Sequence, residues 1–135
     1  MSRQLKPRIL AVDDEPAVGI LLSRIFEETG RYSIAVESDP FRAVERARTL
    51  RPDLLLIDIN MPGKTGIEIA MQLRADPWLR YRPIIFFTGL AMREKPLALE
   101  LGDGLTEFLA KGSSPALIVA TVDRLLAETT GVSPG

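Results

Sequence analysis

Two kinds of segment alternate along this chain, and the alternation restricts its fold more than any other feature. Short apolar runs occur at Ile9-Leu10-Ala11-Val12, around Tyr32 to Val36 (broken by Ser33), at Leu54-Leu55-Leu56-Ile57, at Ile84-Ile85-Phe86-Phe87 and at Phe108-Leu109-Ala110. Runs of this length, mostly β-branched residues or Leu, predict strands buried on both faces. Longer amphipathic segments separate them. The one after Asp14 sets Val18, Leu21, Leu22 and Ile25 at helical spacing, with Glu27 and Glu28 outside and Gly30 as a stop. The next opens with Asp39 as N-cap and Pro40 in first position, and turns Phe41, Val44 and Ala47 inward. A third helix is expected from about Thr65 to Ala75. A weaker fourth falls between Met92 and Leu101 with Pro96 in its first turn, and the last starts at Ser114-Pro115 and buries Ile118, Val122 and Leu125. Strand–helix repeated five times predicts an open, doubly wound α/β sheet with right-handed crossovers.

The length of 135 residues suits one ordinary domain with a real core. Lys plus Arg (17) nearly balances Asp plus Glu (18), so charge gives no reason to expect direct nucleic-acid binding. No apolar stretch approaches the roughly 20 residues that span a bilayer, no signal-peptide core is present, and the chain reads as cytoplasmic. Cys is absent, which excludes disulfides and thiolate metal sites. His is absent too. Imidazole ligands and bases are excluded, and any phosphohistidine must belong to another molecule.

Four of the five runs end in residues able to bind a phosphoryl group and a divalent cation. The first ends in Asp13-Asp14, the third in Asp58, the fourth in Thr88 and the last in Lys111. A parallel sheet lines up the C-terminal ends of its strands, and ligands bind in the crevice there. Three carboxylates, a hydroxyl and an ammonium are therefore expected in one pocket. Carboxylates so close repel unless a cation joins them. Oxygen ligands without His or Cys favour Mg²⁺. A carboxylate can serve as a phosphoryl acceptor, and phosphoryl transfer needs positioning and charge neutralisation more than acid–base catalysis.

At these residues the chain resembles a receiver domain of the bacterial two-component response-regulator family. The carriers are Ile9 through Pro16, with Asp13-Asp14-Glu15; Leu56 through Gly66, with Asp58-Ile59-Asn60-Met61-Pro62-Gly63; Thr88-Gly89; and Gly104 through Phe108 to Lys111. The resemblance covers residues 7–128, leaving 129–135 as a tail or the start of a linker. It implies a flavodoxin-like five-stranded parallel sheet in the order 2-1-3-4-5 with helices on both faces. It also implies that Asp58 accepts a phosphoryl group from a histidine kinase or phosphotransfer protein. Asp13, Asp14, Asp58 and the Asn60 backbone carbonyl would hold Mg²⁺, and Thr88 and Lys111 would bind the phosphoryl group. Thr88 and Phe108 would couple the site to the face of the fourth helix, last strand and last helix. The domain would act as a regulatory switch and not as an enzyme, signalling to a protein target or to an output domain outside these residues; a homodimer is left open. Two positions depart from the family pattern: Gly112 stands where a proline usually follows the lysine, and Phe108 where a tyrosine is common.

Simpler readings compete at single positions. A lone Asp at a strand end can cap a helix, Phe108 can be core, and Trp78 is expected to pack beneath the loop before the fourth strand. Arg42, Arg46, Arg48 and Arg51 are read as a solvated helix face, interrupted by Glu45. Two other functions fit part of the pattern: a Mg²⁺-dependent phosphohydrolase working through an aspartyl-phosphate, and a pseudo-receiver that binds without phosphorylation. The first would want a second Asp two residues after the nucleophile, where Glu15 and Asn60 stand.

Overall fold

The computed structural model describes residues 5–89 and 105–130. The sheet has five parallel strands: β1 (Arg8–Val12), β2 (Ser33–Glu37), β3 (Leu54–Asp58), β4 (Ile84–Thr88) and β5 (Thr106–Ala110). Their order is β2-β1-β3-β4-β5, as the resemblance implied. The helices are α1 (Pro16–Thr29), α2 (Ala43–Leu50), α3 (Gly66–Arg74) and α4 (Pro115–Thr130). Short 3₁₀ turns at Pro40–Arg42 and Leu79–Tyr81 precede α2 and β4. The helix expected between Met92 and Leu101 lies outside the described residues.

Alternation along each strand builds two cores. Leu10, Val12, Leu55, Ile57, Ile84 and Phe86 face α2 and α3. Ile9, Ala11, Leu54, Leu56, Ile85 and Phe87 face α1 and α4. Every residue of β3 is buried, which explains why its sequence shows no polar alternation.

Most helix ends follow their expected chemistry. Pro16 opens α1, and Gly30 closes it in the left-handed region at φ 69°. The Asp39 side chain accepts from the Phe41 N–H, and Thr65 and Glu68 form a reciprocal capping box on α3. α2 ends on Arg51 at φ 54°, a left-handed conformation unusual for a residue other than glycine.

Two burial expectations are corrected. Phe41 is 65% exposed, because the chain makes a 3₁₀ turn before α2 and carries the ring outward while Ala43, Val44 and Ala47 face the core. Leu21 is 53% exposed, because the buried stripe of α1 runs through Gly19, Leu22, Ile25 and Phe26. Gly19 is needed in that stripe: a Cβ there would lie 2.7 Å from Val36 Cγ1. Trp78 is half-buried against the α2–α3 core, with the Arg82 guanidinium 3.6 Å above its ring. Of the arginine stripe, Arg46 pairs with Glu37 and Arg48 with Asp76, as befits a solvated face. No helix among the described residues is long and apolar enough to cross a membrane.

Candidate functional site

Each site residue stands where its strand leaves the sheet. Asp13 follows β1 and is only 2% exposed, with its N–H still bonded to the Glu37 carbonyl at 3.2 Å. Asp58 closes β3 and is 3% exposed. Just beyond it, the Ile59 N–H bonds the Phe87 carbonyl at 3.2 Å, and the Gly66 N–H bonds the Ile59 carbonyl at 2.9 Å. These bonds bring the start of α3 directly against the strand end. A Cβ at Gly66 would lie 2.3 Å from the Asp58 carbonyl oxygen and 2.9 Å from Ile57 Cγ2, so only glycine lets the helix begin there. Gly66 thereby fixes the backbone that presents Asp58.

The first and third strands are neighbours, so their terminal carboxylates converge. One oxygen each from Asp13, Asp14 and Asp58 lie within 4.8 Å of one another. Lys111 reaches the same spot from β5, where its N–H bonds the Thr88 carbonyl at 2.9 Å and ties two strand ends together. Its Nζ lies 3.2 Å from Asp58 Oδ2 and 3.4 Å from Asp13 Oδ2, and also contacts Glu15 Oε1. The Lys111–Gly112 peptide is trans. Thr88, half-buried at the end of β4, lines a cavity of about 420 Å³ with Gly89, Lys111 and Gly112. The Asn60 N–H donates to Asp58 Oδ1 at 3.3 Å. Phe108 is the register partner of Phe86, and their ring centroids are 5.5 Å apart. It sits two register positions behind Thr88, and so on the same face of the sheet, since Thr88 pairs with Ala110.

Burial dominates the electrostatics of the acidic trio. It pushes the Asp58 carboxyl above the ordinary carboxylate range; the Lys111 ammonium and the Asn60 N–H oppose this, while Asp14 adds to it. Asp13 is raised in the same way, burial again leading, with Asp58 contributing repulsion and the Glu15 N–H and Lys111 opposing. At Lys111 burial disfavours the ammonium, yet hydrogen bonds and charge from Glu15, Asp13 and Asp58 outweigh it and raise its pKa.

The donor set suits a hard divalent cation. It consists of carboxylate oxygens at mutually bridging distance, and a cation would relieve the repulsion that raises both buried carboxyls. Asp13 Oδ2 is buried and accepts a hydrogen bond from no described residue, which leaves a lone pair for a ligand.

The expected residues Asp13, Asp14, Asp58 and Lys111 are thus brought together, with Thr88 at the same edge. Glu15 also belongs to the cluster through Lys111, a contact invisible in sequence because the two residues are 96 positions apart.

An open, flavodoxin-like α/β sheet with this polar constellation at its carboxyl edge defines the class. Residues 9–123 match the response regulator receiver domain, and the chain belongs to that family. It is 34% identical over 118 residues to the DNA-binding response regulator MtrA of Mycolicibacterium smegmatis, covering 87% of this chain and 50% of that protein. It is 33% identical over 131 residues to the alkaline phosphatase synthesis transcriptional regulatory protein PhoP of Bacillus subtilis, covering 96% of this chain and 52% of that protein. The chain therefore spans about half the length of these relatives. Among solved structures, the receiver domain of a signal transduction histidine kinase from Syntrophus aciditrophicus superimposes with a TM-score of 0.76 at 30% identity, covering 96% of this chain and 94% of that one. The chemotaxis protein CheY4 of Vibrio cholerae gives a TM-score of 0.77 at 25% identity, covering 90% and 99%.

Proposed function

We propose that the domain, residues 7–128, is a phosphoacceptor of a two-component phosphorelay. In this role Asp58 takes a phosphoryl group from a phosphohistidine on a partner kinase or phosphotransfer protein. The observation that carries the reading is the buried Asp58 carboxylate gathered with those of Asp13 and Asp14, with Lys111 Nζ 3.2 Å from it.

The chemistry asks little acid–base work of the protein. An Asp58 carboxylate oxygen attacks phosphorus in line, the new O–P bond forms as the P–N bond of the donor breaks, and the electron pair leaves with the donor imidazole. That imidazole takes a proton from solvent. Lys111 neutralises charge on one phosphoryl oxygen and Thr88 donates its hydroxyl to another. The Asn60 N–H holds Asp58 Oδ1 and leaves Oδ2 on the Lys111 side. The Asp13, Asp14 and Asp58 carboxylates, with the Asn60 carbonyl, would hold Mg²⁺. When bound, Mg²⁺ supplies further charge neutralisation at the phosphoryl oxygens. A phosphoryl group adds nearly two negative charges beside Thr88 and Lys111. Because the Lys111 N–H is bonded to the Thr88 carbonyl, movement at either is passed to the ends of β4 and β5. Phe108, on the same sheet face as Thr88, and the adjoining face of β5 and α4 would read out that change for a protein target or an output domain.

The test is incubation with acetyl phosphate and Mg²⁺, followed by intact-mass measurement. The wild type should gain the mass of one phosphoryl group in a base-labile adduct, and Asp58→Asn should gain nothing. A labelled Asp58→Asn protein would overturn the assignment.

A further inference from the structure

We propose that Glu15 is a displaceable latch on Lys111, occupying the ammonium until a phosphoryl group on Asp58 takes that contact over. The inference rests on the phosphoacceptor reading and names a residue that tunes it.

A lysine ammonium has three N–H donors. In this structure three carboxylates surround the Lys111 Nζ: Asp58 at 3.2 Å, Asp13 at 3.4 Å, and Glu15. Asp58 and Glu15 each accept one of these N–H groups, while Asp13 Oδ2 stands at ion-pair distance without accepting a hydrogen bond from any described residue, so a phosphoryl oxygen competes most directly with the two hydrogen-bonded carboxylates. The choice follows from burial. The side chains of Asp13 and Asp58 are 2% and 4% exposed, whereas that of Glu15 is 60% exposed and can return to water at little cost.

The local backbone shows that Glu15 serves Lys111 and not the helix it precedes. Glu15 is the N-cap residue of α1, a position that favours short side chains folding back onto the first turn, yet its side chain makes no capping hydrogen bond. Its own N–H donates to Asp13 Oδ1 at 2.9 Å, which anchors its backbone to the buried acidic centre. The longer side chain reaches past the helix end to Lys111. On the lysine side there is open space beside the loop: a Cβ at Gly112 would meet no atom of the described residues within 4 Å.

Glu15 should therefore oppose phosphoryl binding in two ways, by competing for Lys111 and by repelling an incoming anion at the mouth of the site. Both effects are those of an exposed charge, so they are modest and weaken with salt.

The experiment compares the whole chain as wild type, Glu15→Gln, Lys111→Met and the double variant. Two quantities are measured with Mg²⁺ present: the second-order rate constant for labelling by acetyl phosphate, and the apparent affinity for the phosphoryl mimic beryllofluoride, followed by fluorine NMR. Glu15→Gln should raise both by roughly two- to fivefold, the range of an exposed ion pair. The gain should shrink at high ionic strength and be clearly smaller in the Lys111→Met background, where only the long-range repulsion is left, while the urea midpoint stays put. Overturning results are a Glu15→Gln protein that labels no faster than wild type, or the same gain with Lys111 replaced. A wild type that never labels at Asp58 would instead overturn the phosphoacceptor reading and the latch with it.

Discussion

Replacing Asp58 by Asn should make the metal-free domain more stable, although the substitution removes an ion pair. At an effective dielectric of about 20, charges 4.8 Å apart, the outer limit for the acidic trio, repel by roughly 3.5 kcal/mol. Attraction to Lys111 at 3.2 Å is roughly 5 kcal/mol on the same scale. The two repulsions on Asp58 therefore exceed its one attraction by about 2 kcal/mol, and burial of the carboxylate adds to the imbalance. Losing the Lys111 hydrogen bond returns about 1 kcal/mol, so a net gain of about 1–2 kcal/mol is expected. Urea denaturation in EDTA at neutral pH measures it; with an m value of about 2 kcal/mol/M the midpoint should rise by roughly 0.5–1 M.

The pH dependence has a definite sign. Burial holds the folded Asp58 carboxyl above its unfolded value of 3.8, so above that pH the folded state binds more protons than the unfolded one. Wild-type stability from this group falls as pH rises through that window. The advantage of Asp58→Asn should thus close as the pH is lowered toward 4 and open toward neutrality. Adding Mg²⁺ should work the other way, stabilising the wild type by about 1.4 kcal/mol at ten times its dissociation constant and the variant by less. An Asp58→Asn protein less stable than wild type in EDTA, or equally stabilised by Mg²⁺, would refute the reasoning.

Further outcomes follow from particular contacts. Gly66→Ala should destabilise the fold by about 1–3 kcal/mol and weaken Mg²⁺ binding, because the added methyl forces α3 away from the Asp58 carbonyl; urea melts and a metal titration test both, and an unchanged midpoint would contradict the close approach. Thr65→Ala should cost about 1 kcal/mol through loss of the α3 capping box, read from the same melts. Burial, helped by the hydrogen bond to Asp123, pushes the Tyr32 phenol up to about 12. Between its unfolded value of 10.0 and that pH only the unfolded chain releases the proton, so wild-type stability should fall there. Tyr32→Phe should start lower by about 1 kcal/mol and lose this dependence, so the two melting curves approach each other in alkali.

Much of this molecule was legible from local pattern. Short apolar runs gave the strands, because a strand covered on both faces has no solvent side to mark with polar residues. Asp39 and Gly30 announced helix ends through their own capping chemistry, whereas the Thr65–Glu68 capping box emerged only in the structure. The residues just after the strands were legible as a candidate site, since parallel strands must end along one edge. Burial of individual helix residues was less secure. A 3₁₀ turn before α2 was enough to send Phe41 to the surface, and a small rotation of α1 put Gly19 and Phe26 inside and Leu21 outside.

By itself, then, the sequence determined which segments are strands and helices and which polar residues sit at the strand ends, because both are set by backbone periodicity over a few residues. The tertiary structure decided how those ends meet. Strand order made β1 and β3 neighbours and so brought Asp13 to Asp58; strand register and the route of β5 delivered Lys111 to both and to Glu15. Contacts between residues 96 positions apart depend on how the crossovers pack, and no local pattern encodes them.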